Sequence, residues 1–174
     1  IDPTKTRVIL IEAGKRVLAN FHESLSSRAA RDLENLGVTI WTNMRVTNIS
    51  KDGVTLGEEK VNAATVLWAA GVQPSPLNVT LGAPVDKAGR VIVESDLSLP
   101  GHPEVFVIGD QACFTEDGKS LPGLAPVAMQ QGRAVAANIG ADLSGRRRKP
   151  FHYLDKGQMA TIGRGRAVAQ TSHF

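Results

Sequence analysis

One cysteine, Cys113, is all the thiol chemistry this chain holds. A lone thiol forms no internal disulfide and no Cys-x-x-Cys redox pair, so the sequence builds neither a stapled secreted fold nor a dithiol centre of its own. Cys113 is read as a structural thiol. Long apolar runs are missing too. Nothing approaches the ~20 residues of a membrane-spanning helix, and the longest stretch, Thr65 to Val72, reads as a buried strand running into a glycine. No basic segment followed by an apolar one marks a signal peptide, and Ile1-Asp2-Pro3 is no start, so the chain is expected to begin mid-protein. The formal net charge of +3 is too mild to argue for a nucleic-acid partner. The sharpest charge run, Arg146-Arg147-Arg148-Lys149, reads as a solvated loop, with contact to acidic lipid headgroups as the functional alternative. His22, His102, His152 and His173 lack metal-ligand spacing, so no metal site is expected. No Ser-His-Asp arrangement, tandem repeat or low-complexity tract is legible.

What is present alternates strands with helices, in a chain long enough for one sizeable core or parts of two small ones. Arg7 to Glu12 is a β-branched apolar run ending in an acid, as suits a parallel strand covered on both faces. A helix is predicted from about Ser24 to Leu36, with Leu25, Ala29, Leu33 and Leu36 at helical spacing and Gly37 as its stop. Val38 to Trp41 is the next strand, completing a βαβ unit. Arg45 to Ser50, Val54 to Leu56 and Glu58 to Val61 then read as a small antiparallel meander, and Thr65 to Trp68 as a return to buried strand. Beyond Pro74 and Pro76 a different unit begins. Val91 to Val93 and Val105 to Ile108 are predicted strands, the second ending at Gly109-Asp110 after the loop Pro100 to Pro103. A small-residue helix is predicted from Pro126 to about Ile139, with Gly140 at its end.

Four places in this pattern can carry chemistry. An acid at the end of the second strand of a dinucleotide-binding unit accepts hydrogen bonds from ribose hydroxyls, and a carboxylate there repels a 2′-phosphate. Glu12 has that position, although Lys15 and Arg16 nearby could instead accommodate a 2′-phosphate, and a solvated strand-end acid is the plain alternative. Gly71, after Ala69-Ala70, lets backbone approach a ligand or simply makes a turn. Gly109-Asp110 lies at the carboxyl end of a strand, where ligands of open α/β sheets gather, and its acid could accept from a sugar or ribityl hydroxyl or merely cap a helix. The helix start at Pro126 offers unpaired N–H groups beside the small residues Ala125, Val127 and Ala128, which could equally be ordinary core packing.

Taken in order, these segments resemble the type II NADH dehydrogenases. The resemblance rests on Val8-Ile9-Leu10-Ile11-Glu12-Ala13, Leu36-Gly37-Val38, Trp68-Ala69-Ala70-Gly71-Val72, Val105-Phe106-Val107-Ile108-Gly109-Asp110, Ala125 through Gly132, and Tyr153 through Arg164. It implies an α/β fold: a partial Rossmann-like NAD-binding domain with an antiparallel β-meander over 1–72, followed by the C-terminal part of an FAD-binding domain over 73–145. Residues 146–174 would start a membrane-proximal, quinone-side section. The implied cofactors are FAD and NAD(H). Glu12 would contact the NADH ribose, with Val46 and Gly71 near the dinucleotide. Gly109 and Asp110 would hold the ribityl and phosphate region of FAD, and Ala125, Val127 and Ala128 would lie at the isoalloxazine. Gln130 and Lys156, near the quinone-facing side of the flavin, are the catalytic candidates. The implied reaction is hydride transfer from NADH to flavin, then two-electron reduction of quinone.

The resemblance further implies a peripheral enzyme at the cytoplasmic face of the cell membrane, seated through a C-terminal segment not in this sequence, and leaves room for a homodimer. Both glycine-rich loops of the family are absent, so the chain is expected to be an internal fragment that binds FAD weakly or not at all and has no turnover alone. Two alternatives stay open: another FAD/NAD(P)H-dependent reductase of the ferredoxin, rubredoxin or disulfide type, and a nucleotide-binding scaffold without catalysis.

Overall fold

The computed structural model describes residues 6–171; Ile1-Asp2-Pro3 and His173 lie outside the described residues. The chain divides into two compact units, one running to Trp68 and resumed from Asp155, the other Ala69–Leu154. The expected boundary after Val72 thus lies a few residues beyond the division, and the section expected over 146–174 is shared between the units.

The first unit opens with the predicted parallel pair. Strand β1 (Val8–Ile11) leads to helix α1 (Glu23–Asn35), and β2 (Val38–Trp41) returns in register, Val8 beside Val38 and Ile11 beside Trp41. Strand, crossover helix and parallel strand make one Rossmann-like step. His22 caps α1, its ring nitrogen accepting from the Ser24 amide, and Gly37 follows the helix at φ +86°. The face α1 buries is Ser26, Ala29 and Asp32, with Leu25 packed at its margin. The predicted Leu36 is instead about half exposed at the C-cap. Ser26 Oγ donates to the Val17 carbonyl, and Asp32 accepts from Arg28 at 3.0 Å.

The predicted meander is present: β3 (Val46–Ser50), β4 (Gly53–Leu56) and β5 (Glu59–Asn62) form one antiparallel sheet. The expected strand over Thr65 to Trp68 is not. Leu67 and Trp68 are exposed, and among the described residues no segment pairs with them. A run apolar on both faces is stable as a strand only with ladder partners and covering layers.

In the second unit a short helix, α2 (Leu77–Thr80), precedes β6 (Val91–Ile92), β7 (Ser98–Leu99) and β8 (His102–Phe106). The strand expected over Val105 to Ile108 is therefore displaced toward the N-terminus. β8 pairs antiparallel with β7 through a bulge, and the Val107 amide donates to Leu97 O at 3.1 Å, leaving Ile108 to end the extended run. A 3-10 turn, Gly109–Gln111, follows, then β9 (Ala112–Cys113), parallel to β6, and the hairpin β10 (Thr115–Glu116) with β11 (Lys119–Ser120). Helix α3 (Ala125–Leu143) runs past Gly140 to its C-cap Ser144, because Asn138 and Ala141 are buried and bind the next turn to the unit; Gly145, at φ +64°, makes the exit.

Two apolar clusters hold this unit. One gathers Val91, Leu99, Val107 and Ala112; the other gathers Leu97, Phe114, Val135 and Phe151, with the Phe114 and Phe151 rings edge to face at 5.1 Å. The basic run after α3 is not a free linker. Arg148 donates to Asp142 at 2.8 Å and to Asp96 at 3.0 Å and lies over the Phe106 ring, while Asn138 grips both the N–H and C=O of Lys149 at 2.9 Å. Of the four side chains Arg146, Arg147 and Lys149 are exposed, as expected of a charge run, and Arg148 alone is engaged within the unit.

The final hairpin, β12 (Gln158–Gly163) with β13 (Arg166–Gln170), belongs to the first unit. Val168 joins Val17, Phe21 and Ala29 in its core, and Arg166 donates to Asp32 O at 3.1 Å.

Candidate functional site

In the first unit the end of β1 is shaped by backbone. Glu12 donates its amide to Trp41 O at 2.8 Å and accepts from Met44 N at 3.1 Å, while Asn43 N donates to Gly14 O at 2.9 Å. The strand tip is thus tied to the segment after β2. The Glu12 carboxylate curls over the turn, one oxygen accepting the Gly14 amide at 2.6 Å. Among the described residues its other oxygen has no hydrogen-bond partner, and the side chain is half-buried. Gly14 has little room to spare: a Cβ there would lie 3.1 Å from the carboxylate. A carboxylate with one oxygen anchored and one open is suited to paired hydroxyls such as those of ribose.

Arg16 does not face that opening. Its guanidinium donates to the carbonyls of Ala19 at 2.9 Å and Phe21 at 3.1 Å. Val46 sits half-buried at the head of β3, paired with Leu56. Lys156 is exposed in the turn between Asp155, which accepts the Gly157 amide at 2.8 Å, and Gly157 at φ +89°.

In the second unit the Gly109–Gln111 turn packs against the start of α3. Gly109 takes φ +67°, a conformation that favours glycine, and a Cβ there would stand 3.4 Å from Ala128 Cβ. Asp110 is exposed, and among the described residues its carboxylate accepts no hydrogen bond. Its neighbour is Gly123, where a Cβ would come within 3.0 Å of Asp110 Oδ1. The start of α3 has no side-chain cap: Leu124 carries no acceptor, and Pro126 lies in the first turn. An open carboxylate, two glycines around it and an uncapped helix start beside Ala125 and Ala128 fit a ligand that presents hydroxyls to an acceptor and negative charge to helix amides. A flavin dinucleotide is such a ligand. Val127 points the other way and is buried in the unit. Gly71, at φ +96°, is exposed with open space where a side chain would go.

Gln130 has both ends of its amide engaged by one residue. Nε2 donates to Leu154 O and Oε1 accepts from Leu154 N, each at 3.0 Å. Glu116 holds the preceding stretch, accepting from Tyr153 N at 3.2 Å and pairing with His152 Nδ1 at 2.9 Å. Cys113 is buried, with Sγ 3.5 Å from Ser120 Oγ. Among the described residues no three His, Cys, Asp or Glu side chains gather to hold a metal ion.

Three residues of this site escaped the reading of the sequence. Gln131 is 1% exposed, and its Oε1 accepts the Gly109 amide at 2.7 Å. Asn78 is equally buried and donates to Gly89 O at 3.0 Å and Gln111 O at 3.2 Å. Gly123 is the third. A signal existed for Gln131: it stands four residues from both Val127 and Val135, an amide between two apolar positions of one helical face.

A Rossmann-like step with an acid at its strand tip, and a glycine–aspartate turn against a helix start, define the class of dinucleotide-binding α/β proteins. The chain belongs to the pyridine nucleotide-disulphide oxidoreductase family, whose pattern matches residues 4–132. It is 41% identical over 182 aligned positions to a type II NADH:quinone oxidoreductase of Mycobacterium tuberculosis, covering 98% of this chain and 38% of that protein. It is 35% identical over 169 positions to the type II NADH:quinone oxidoreductase of Staphylococcus aureus, covering 94% of this chain and 42% of the relative. The chain therefore spans about two-fifths of the length of these curated relatives. Among solved structures, NDH2 of Plasmodium falciparum in complex with NADH shares the fold at TM-score 0.81 and 17% identity, over 97% of this chain and 50% of that one. A ferredoxin reductase of Rhodopseudomonas palustris does so at TM-score 0.72 and 24% identity, over 90% of this chain and 39% of that one.

Proposed function

We propose that this chain serves as a section of an FAD-dependent NADH:quinone oxidoreductase. The observation that carries the flavin part is the exposed Asp110 carboxylate on a glycine turn set against the uncapped start of α3. The acceptor is taken from the curated relatives, both of which are named for quinone. In this reading residues up to about Val72 serve NADH and those after it FAD, with 146–174 on the quinone side. When bound, flavin supplies two-electron chemistry, so that NADH, quinone and one proton become NAD⁺ and quinol.

The protein's own work is binding and orientation. Glu12 accepts from the ribose hydroxyls of NADH with its open oxygen while Gly14 steadies the other, and Val46 and Gly71 line the dinucleotide. The engagement of Arg16 with Ala19 and Phe21 supports NADH over NADPH, since that guanidinium is not available to a 2′-phosphate. Gly109 gives close backbone approach to FAD and Asp110 accepts from its ribityl hydroxyls. Ala125, Val127 and Ala128 set the helix start near the isoalloxazine, where helix amides favour negative charge. Gln130, through its hold on Leu154, and Lys156 serve the quinone side. Peripheral attachment to the cytoplasmic face of the cell membrane and pairing into homodimers belong to the same proposal; among the described residues no helix is long and apolar enough to cross a membrane.

The test is made on a full-length protein carrying this sequence. It should purify with one FAD and oxidise NADH faster with a short-chain quinone than with ferredoxin or a disulfide. Preference for either of those acceptors would move the protein to another branch of the family, and binding without reduction would make it a scaffold.

A further inference from the structure

The turn that carries Asp110 is held at both of its ends by buried amide side chains, neither of which touches the carboxylate. At one end Gln131 Oε1 accepts the Gly109 amide at 2.7 Å. At the other, Asn78 Nδ2 donates to Gln111 O at 3.2 Å and, with the same nitrogen, to Gly89 O at 3.0 Å. Each side chain is 1% exposed. One comes from α3 and the other from the short α2, so the turn is gripped from two separately placed elements.

We infer that Gln131 and Asn78 are positioning residues that set where the Asp110 carboxylate stands; the inference rests on the flavin reading of this turn. A 3-10 turn of three residues has little internal hydrogen bonding to fix it. Its outer face carries the exposed acid, and its first residue sits at positive φ, where the backbone of a glycine is otherwise free to move. Gly109 N and Gln111 O lie in the peptide groups one step outside the two that join Asp110 to its neighbours, so holding both ends of the turn restricts how the Asp110 Cα–Cβ bond can swing. A buried amide is costly unless it makes its hydrogen bonds. Asn78 Oδ1 is buried and, among the described residues, unpartnered. A leucine at position 78 would remove that cost but would leave the carbonyl of Gln111 unheld. The polar side chains therefore act on the turn rather than on packing. Asn138, the other buried amide of α3, grips Lys149 instead and serves as the control.

The test is a thermodynamic cycle on FAD affinity, read by flavin fluorescence as FAD is titrated into the apo form of a full-length protein carrying this sequence. Gln131→Met keeps the length and removes the strong acceptor; Gln131→Glu keeps an oxygen facing Gly109. Gln131→Met is expected to raise the FAD Kd about tenfold, and Gln131→Glu to recover most of that loss. In an Asp110→Ala background, Gln131→Met should add less than about twofold, because its effect runs through the missing carboxylate. Asn78→Leu runs the same cycle from the other end and stands in if Gln131→Met does not fold. Effects that multiply in full with Asp110→Ala would overturn the inference, as would a Kd unmoved by either turn-holding variant while Asp110→Ala weakens FAD. An Asp110→Ala protein with undiminished FAD affinity would instead bring down the flavin reading of the turn, and this inference with it.

Discussion

Gly123 offers a way to disturb the Asp110 carboxylate without straining the backbone. Its φ lies outside the left-handed region, so alanine is conformationally acceptable there, and the nearest atom to a Cβ would be Asp110 Oδ1 at 3.0 Å. Ordinary van der Waals contact begins at 3.4 Å, so in Gly123→Ala the carboxylate must retreat by a few tenths of an ångström. Asp110 is exposed and accepts no bond among the described residues, so the fold itself does not resist that shift. Loss of glycine freedom in the unfolded chain should leave stability unchanged or raise it by about 0.5 kcal/mol. The ligand is where the cost should fall. A charge-assisted bond to a hydroxyl contributes about 1.5–3 kcal/mol at its short optimum, and moving the acceptor off it should forfeit about 1 kcal/mol, or roughly fivefold in Kd. FAD titration and thermal denaturation of the apo form of a full-length protein separate the two quantities. An unchanged FAD Kd together with a lowered Tm would refute the reasoning, since it would show that the methyl group meets the fold and not the ligand-facing acid.

Other expectations follow from the same geometry. In the meander, Gly53→Ala should cost at least ~3 kcal/mol in the first unit, because its Cβ would fall on the carbonyl of Val61 and close to Ala63 N at φ +140°, whereas Gly57→Ala, with open space at φ +63°, should cost only about 1–2 kcal/mol; paired denaturation curves check the contrast. Glu12→Gln keeps an acceptor for the Gly14 amide but loses the charge facing ribose, so the KM for NADH should rise about tenfold with FAD content unchanged; steady-state kinetics decide it, and a fall in kcat with KM constant would count against the ribose role.

Acid should loosen the second unit. Burial alone would raise the carboxyls of Asp86 and Asp96, but hydrogen bonds from Arg90 and Ala88 to the first, and from Ser98 and Arg148 to the second, outweigh it and hold both below the ordinary 3.8. Their stabilisation is therefore complete above that value and is lost as pH falls through the lower folded-state value. Asp96→Asn should flatten the acid limb of a Tm-against-pH profile, and an unchanged limb would assign the acid sensitivity elsewhere.

Much of the local structure was legible because its causes are local. Val8 to Ile11, the helix from Glu23 and Val38 to Trp41 are written in apolar periodicity and a terminal glycine. The meander is written in alternation and in the Asp52-Gly53 turn. Other features depend on partners far away in the sequence. Thr65 to Trp68 is as apolar as a core strand, yet Leu67 and Trp68 are exposed, and among the described residues no ladder meets them. β8 stops at Phe106 because its register is set by a bulge against Ser98 and Leu99. α3 ignores Gly140 because Asn138 and Ala141 are anchored on either side of it.

By itself, then, the sequence determined the alternation of strand and helix, the acid at the tip of β1 and the glycine–aspartate pair before α3, since each depends on the propensity and chemistry of neighbouring residues. Only the tertiary structure decided that Gln131 and Asn78 reach that pair from two helices, that Arg148 is spent on Asp96 and Asp142, and that the last hairpin covers α1. A buried polar side chain has its partner chosen by packing, and packing joins residues that no local pattern connects.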